Sequence, residues 1–330
     1  MQGKIALEEH FAPPGTFEVP FQYFGNRLPA WPELQRRMVD FFDQRLRDMD
    51  ASGVELAIIS LGAPAVQAIL DAKQAGEAAR KANDFLMDQI RKRPDRFAGF
   101  AALPMQDAEA ASAELTRCVK EYGFKGALVN GFTQLHEKDS GLYYDLPRFL
   151  PFWETVEKLD VPFYLHPRNP IASQLRIYEG HPWLQGSAWA FGVETATHAL
   201  RLMASGLFDR YPKLKIILGH LGEGLPSSIW RVEHRIRKGG ERIPAKKPLS
   251  EYFRANFYLT TSGNFHDSTL LTALREVDVK KILYSVDYPF EDFDEAAQWF
   301  DNASISEADR LSIGRLNALE LFKLTGSRET

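Results

Sequence analysis

A chain of 330 residues, 45% hydrophobic and 25% charged, can bury a large core without covalent staples. Its formal net charge of −4 gives no electrostatic footprint for nucleic acid or an anionic membrane. A single cysteine, Cys118, leaves no internal disulfide to form. With no apolar leader and no run near the roughly 18 apolar residues of a membrane span, the cytoplasm is the expected compartment.

The first apolar run, residues 4–7, ends at Glu8-Glu9-His10. Residues 11–32 carry five prolines and many aromatics without a period, which predicts a long loop of the kind used as a lid or binding loop. The 3–4 spacing of Leu34, Met38, Phe41 and Leu46 predicts one helix over 34–51, ended by Gly53. A strand over 55–61, a helix over 71–93 and a strand over 97–103 follow, the last stopped by Pro104. Residues 107–122 read as a helix with Asp107 as N-cap and Gly123 as C-cap, and the pattern around Cys118 makes that thiol a buried, inert one. Then come a strand over 126–130, a polar insertion over 134–147, a helix over 150–159 and a strand over 161–166. A second insertion, rich in Pro, Gly and Trp, reaches Trp189. Helices over 191–208, 225–237 and 268–277 alternate with strands over 214–220, 257–261 and 282–287, a basic loop spans 242–247, and a helix over 308–324 closes the chain.

Strand and helix alternate eight times, and the strands are apolar almost throughout. That is the pattern of a parallel sheet covered by crossover helices, and eight units predict closure into an α/β (β/α)8 TIM-type barrel with long loop insertions. Residues 1–330 read as a single domain. No strand is followed by a dinucleotide-binding glycine fingerprint or a P-loop.

The chemistry is expected at the C-terminal ends of the strands. There the sequence places Glu8 and His10, His166, His220 and Asp287. Glu8 and His10 are two residues apart and should face one side; closure sets strand eight, with Asp287, beside strand one, and His166 reaches in from the opposite wall. Buried at apolar strand ends, such groups need a partner, and a shared divalent ion serves all four. The carboxylate share favours Mn²⁺, and the set also suits Zn²⁺. His220 is placed toward substrate, with Glu223 orienting its ring, or with Glu223 instead in the first turn of the next helix. The remaining histidines, His136, His181, His198, His234 and His266, are read as packing or surface residues, although the insertion holding His181 could fold over the site.

Glu8-x-His10, Tyr164-Leu-His-Pro167, Gly219-His-Leu-Gly-Glu223 and Ser285-Val-Asp-Tyr-Pro-Phe290 resemble the amidohydrolase superfamily, and most nearly its decarboxylase branch acting on 2,6-dihydroxybenzoate (γ-resorcylate). Ala63-Pro-Ala-Val-Gln-Ala68, Gly126-Ala-Leu-Val-Asn-Gly131, His166-Pro-Arg-Asn-Pro170 and Thr260-Thr-Ser-Gly263 agree, so the likeness spans nearly the whole chain. The resemblance implies a homo-oligomer, dimer or tetramer, with one divalent metal per subunit on Glu8, His10, His166 and Asp287 and with His220 and Glu223 on the substrate side. It implies non-oxidative decarboxylation of 2,6-dihydroxybenzoate to resorcinol and CO₂, with a protonated Asp287 delivering a proton to the ring carbon that bears the carboxylate. Tyr23, Phe24 and Phe290 are candidate walls for a flat ring. Arg231 is a candidate to approach a neighbouring subunit's site, with a surface salt bridge as the competing role. Two departures from the hydrolase pattern are Glu-x-His in place of His-x-His, and Asn130 where binuclear hydrolases carry a bridging lysine. Decarboxylation of 2,3-dihydroxybenzoate or salicylate, hydrolysis of a lactone or amide with Asp287 as base, and a barrel that only binds its ligand are the competing readings.

Overall fold

The computed structural model describes residues 1–15 and 31–324. Three parallel strands, β1 (Lys4–Phe11), β2 (Val54–Leu61) and β3 (Phe97–Gly99), pair in that order. A second parallel sheet begins with β4 (Ala127–Asn130). An antiparallel hairpin, β5 (Thr133–Leu135) and β6 (Glu137–Leu142), stands apart, and β7 (Phe163–His166), β8 (Ile216–Leu218), β9 (Phe257–Thr260) and β10 (Ile282–Leu283) follow. The second sheet runs β4-β7-β8-β9-β10. Parallel bridges from Ala101 to Ala127 and from Leu7 to Ser285 join the sheets at both edges, so eight strands close a ring. The expected barrel is present.

Strand alternation sorts the core into two layers. Ile5, Leu7, Ile58, Leu128, Tyr164, Ile217 and Leu283 fill the interior, with Leu321 and Phe322 packed onto them. The intervening residues Ala6, Ala57, Ile59, Phe163, Leu165 and Ile216 face the covering helices. Arg315 donates to Gly3 O and Asn317 to Val279 O and Ile282 O, which fixes the closing helical segment at the strand N-termini. The opposite end is left for the site. No described helix is long and apolar enough to cross a membrane.

The structure departs from the sequence reading where a local group outcompetes the helix ladder. Residues 34–51 form two helices, Trp31–Val39 and Gln44–Ala51, because the Asp40 carboxylate accepts the N–H groups of Phe42, Asp43 and Arg45. The helix expected over 191–208 ends at Ala204, and Gly206 at φ +81° starts a separate turn, Leu207–Arg210. The last helix is interrupted by a π turn, Ser312–Leu316. Helices Leu249–Asn256 and Phe293–Asn302 and the hairpin within the polar insertion had no counterpart in the reading. Asp107 and Gly123 do cap their helix, and Cys118 is buried, its thiol pushed up by that burial.

Candidate active site

β1 does not stop at Leu7; it runs through Glu8 to Phe11. Its register against β2 pairs Leu7 with Ile58 and Glu9 with Ile59, so Glu8 is an extra residue, a bulge at φ +68°. Strict alternation from Ile5 and Leu7 would turn Glu8 and His10 outward. The bulge resets the phase and turns both inward, at a cost of about 1–2 kcal/mol for a non-glycine residue in the left-handed region.

Glu8 Oε2 accepts hydrogen bonds from Tyr164 Oη and, at 3.3 Å, from Thr260 Oγ1. Its Oε1 points the other way, 3.2 Å from His166 Nε2. His166 Nδ1 lies 2.9 Å from Pro167 O, to which it can only donate, so its Nε2 lone pair faces the centre. His10 Nδ1 meets Ser60 Oγ at 3.1 Å, and its Nε2 lies 3.2 Å from Asp287 Oδ1. Glu8 Oε1, His10 Nε2 and Asp287 Oδ1 are nonetheless buried without a hydrogen-bond partner. Ligand atoms of Glu8, His10, His166 and Asp287 all lie within 4.8 Å of one another. Each orphaned atom costs about 1–3 kcal/mol, and one divalent cation would satisfy them together. Two imidazoles and two carboxylates suit such an ion. Among the described residues this is the one grouping of its kind.

His220 arrives by unusual backbone. Residues His220, Leu221, Gly222, Glu223 and Gly224 all have positive φ, forming a left-handed turn before the helix Leu225–Gly239. The turn is held by Leu221 N donating to Thr260 O at 2.7 Å and by His220 N donating to Ser262 Oγ at 3.1 Å. It brings Glu223 Oε1 to 2.7 Å from His220 Nδ1. Glu223 therefore precedes the helix, and the reading that set it in the first helical turn does not hold.

His220 Nε2 stands 3.5 Å from Asp287 Oδ2. Burial alone would lower the His220 pKa, but Glu223 and Glu8 outweigh it and hold the ring well above its ordinary value. Burial would raise the Asp287 carboxyl, yet contact with His10 and His220 keeps it below the ordinary range. Asp287 Oδ2 lies within reach of a proton from His220.

These groups open on a cavity of about 510 Å³, a size that suits one small aromatic acid. His166, His220, Asp287 and Phe290 line it together with Gln185–Ala188 of the second insertion and Phe191. The insertion thus reaches the site, but not through His181, which packs edge-on against Trp183 at 5.0 Å. Phe290 also meets the His10 ring at 5.7 Å. Arg231 is exposed on the helix Leu225–Gly239 and lines no part of this chain's cavity. Tyr23 and Phe24 lie outside the described residues. His198 is a packing residue: its Nε2 accepts the Tyr144 N–H at 3.0 Å, and burial pushes it down to about 3.

Residues not anticipated include Ser60, Tyr164, Thr260 and Ser262, whose hydroxyls bond the ligands or one another. Tyr164 carried a signal, since it lies two residues before His166 and so faces the same way. Glu291 also lines the cavity, its carboxyl pushed up to about 7 by burial and by Asp287. Two glycines leave room: a Cβ at Gly219 would stand 2.9 Å from Glu8 Oε2, and one at Gly263 3.0 Å from His220 Cδ2. Gly219→Ala is accordingly expected to displace the Glu8 carboxylate and weaken divalent-ion affinity by about 10-fold or more, read by calorimetric titration. Unchanged affinity would mean that Glu8 yields without loss.

Comparison with known proteins gives a consistent picture. A family described as amidohydrolase matches residues 10–324. The γ-resorcylate decarboxylase of Polaromonas sp. (strain JS666) is 60% identical over 326 residues, 98% of this chain and 99% of that one. A solved 2,6-dihydroxybenzoate decarboxylase in complex with 2,6-dihydroxybenzoate is 57% identical, with a TM-score of 0.94, covering 98% of this chain and 99% of that one. A dihydroxybenzoic acid decarboxylase from Polaromonas, solved with manganese and the inhibitor 2-nitroresorcinol, is 58% identical with a TM-score of 0.92, covering 98% and 97%.

Proposed function

The chain belongs to the amidohydrolase family, and we propose that it is a metal-dependent carboxy-lyase converting 2,6-dihydroxybenzoate to resorcinol and CO₂ without an oxidant. One observation carries this: a four-ligand cluster with unpartnered buried atoms borders a cavity of aromatic-acid size, and an acid–base pair, His220 and Asp287, stands in the same wall. Glu8, His10, His166 and Asp287 hold the ion. Manganese is the first choice, as in the Polaromonas structure, and zinc suits the same donors. Bound there, the ion would supply Lewis-acid stabilisation of the charge that develops on the substrate's carboxylate and ortho oxygen.

The chain's own groups do the rest. Asp287 uses its two oxygens differently, Oδ1 toward the ligand cluster and Oδ2 toward His220. Glu223 fixes the His220 ring through Nδ1, leaving Nε2–H directed at Asp287 Oδ2. The proton needed by the ring carbon is thus held by the pair and delivered from Asp287. The C–C bond to the carboxylate then breaks, its electrons restore the aromatic ring, and CO₂ leaves. Phe290 and Phe191 bound the ring's space and exclude water.

We place the enzyme in the cytoplasm as a single catalytic domain and as a homo-oligomer. Exposed apolar side chains support association: Ile177 is 74% exposed, Trp189 58% and Trp230 66%. Light scattering after gel filtration is expected to give a dimer or tetramer mass. A monomer at micromolar concentration would remove that part of the reading.

The reaction is tested by following resorcinol spectrophotometrically with 2,6-dihydroxybenzoate, with Mn²⁺ added and after chelation. Product in the metal-loaded sample alone is expected. Loaded protein inert toward this acid but active on salicylate or 2,3-dihydroxybenzoate would correct the substrate, and inertness toward all three would sink the decarboxylase.

A further inference from the structure

We propose that Glu9, between two of the ligands and outside the ligand set, is the positioning residue of the site: its carboxylate holds the backbone on both sides of Asp287 so that the Asp287 side chain faces the ion and His220. The role rests on the reading of Asp287 as ligand and proton donor.

Glu9 is wholly buried. One of its oxygens, Oε1, accepts the Val286 N–H at 3.0 Å, and the other, Oε2, accepts the Tyr288 N–H at 3.0 Å. These two donors straddle Asp287. The carbonyls of the same two residues are held separately, Val286 O by Gly263 N at 3.1 Å and Tyr288 O by His10 N at 2.6 Å. Asp287 itself sits at φ +82°, a conformation that side-chain-bearing residues seldom adopt unless the surroundings impose it.

The reason a side chain does this work lies in the bulge. Beyond the bridge between Leu7 and Ser285, the extra residue Glu8 takes β1 out of step with the chain following β10. A parallel neighbour would offer backbone carbonyls to Val286 and Tyr288; here Glu9 supplies two acceptors in their place. A carboxylate is the side chain that can accept on both arms, whereas an amide accepts on one and donates on the other. Arg45 backs the arrangement from outside the barrel. It is wholly buried, donates through Nη2 to His10 O at 2.6 Å and lies over the Tyr288 ring at 4.7 Å. Glu9 lines no part of the cavity, so it acts through Asp287 and not on substrate.

The test compares wild type with Glu9→Gln, Glu9→Ala and Asn317→Ala. Asn317 is a control for stability, because its amide ties down Val279 and Ile282 at the start of the same strand, away from the site. Mn²⁺ affinity is measured by calorimetry, melting temperature with and without Mn²⁺, and kcat and KM at saturating Mn²⁺. Glu9→Gln is expected to raise the Mn²⁺ Kd by about 10–100-fold and to lower kcat over a similar range, with KM for 2,6-dihydroxybenzoate within about threefold of wild type. Asn317→Ala is expected to melt lower with Kd and kcat unchanged. Should Glu9→Ala fail to fold, Glu9→Gln, which keeps the shape, decides alone. A Glu9→Gln protein that melts low but keeps wild-type Kd and kcat makes Glu9 a structural residue and overturns the role. If wild type itself neither binds Mn²⁺ nor decarboxylates, the functional reading falls and takes the role with it; an active wild type with an unaltered Glu9→Gln removes the role alone.

Discussion

Asp287→Asn is expected to lower kcat for 2,6-dihydroxybenzoate by about 10³-fold, within the range for losing a positioned general acid, while the protein stays folded and still binds hydroxybenzoates. Asparagine is nearly isosteric and tolerates positive φ better than most residues, so the backbone at φ +82° should persist. Its carbonyl oxygen can still face the ligand cluster in place of Oδ1. What it cannot do is hold an acidic proton opposite His220 Nε2, 3.5 Å away. The measurement is resorcinol release at saturating Mn²⁺, with inhibitor binding followed separately by calorimetry. A barrel that only binds would show no turnover in wild type, and a hydrolase would release an acid in place of CO₂ and a phenol. Near-wild-type turnover in the variant would remove Asp287 as the donor.

The eight-fold alternation of strands and helices was legible because it is carried by apolar periodicity, which tertiary contacts reinforce. The ligand positions were legible for a related reason. His166 and Asp287 are polar residues at the ends of apolar strands, and the barrel brings such ends together. Backbone features without a side-chain signal were not legible. Glu8 as a bulge leaves no trace in composition, since a glutamate at φ +68° is stabilised by what surrounds it. Strict alternation would have set Glu8 and His10 facing away from Ile5 and Leu7's side. Two-residue spacing sets them on one face, and they point into the barrel only because the strand gains a residue there. The left-handed turn from His220 to Gly224 was hinted at by Gly222 and Gly224 alone; Leu221 gave no warning.

Side-chain capture of backbone groups accounts for other differences. Asp40 breaks a helix whose apolar spacing is continuous, and Glu9 replaces a strand ladder that the apolar run from Ile282 suggested would continue to Asp287. Both carboxylates were visible as letters, but their partners lie across the fold or in a turn that only the folded chain defines. The second insertion is similar. Its composition marked it as a loop, and which of its residues meet the cavity, Gln185–Ala188 and not His181, depends on how it is folded.

Glu8→Gln is the second large effect, and it separates the ion from the chemistry. Glu8 is held by hydroxyls on one oxygen, through Tyr164 and Thr260, and leaves the other facing the ligand cluster. Hydroxyls can either donate or accept, so they can turn to receive an amide N–H, and the variant should fold. The loss is then one negative charge from a set of two carboxylates and two imidazoles. Partners one step removed from a metal cost about 10–100-fold in affinity, and a direct ligand is expected at the upper end, about 100-fold. With Mn²⁺ at about 1,000 times the wild-type Kd, binding stabilises the fold by about 4 kcal/mol; a 100-fold weaker site leaves about 1.4 kcal/mol. The Mn²⁺-induced rise in melting temperature should therefore shrink to roughly a third, and activity at fixed Mn²⁺ should fall with occupancy. Raising Mn²⁺ should recover part of the activity in Glu8→Gln and none of it in Asp287→Asn, because only the second variant lacks the proton donor. A Glu8→Gln protein with an undiminished Mn²⁺ shift in melting temperature would place the ion elsewhere and leave the Tyr164–Thr260 contacts as packing alone.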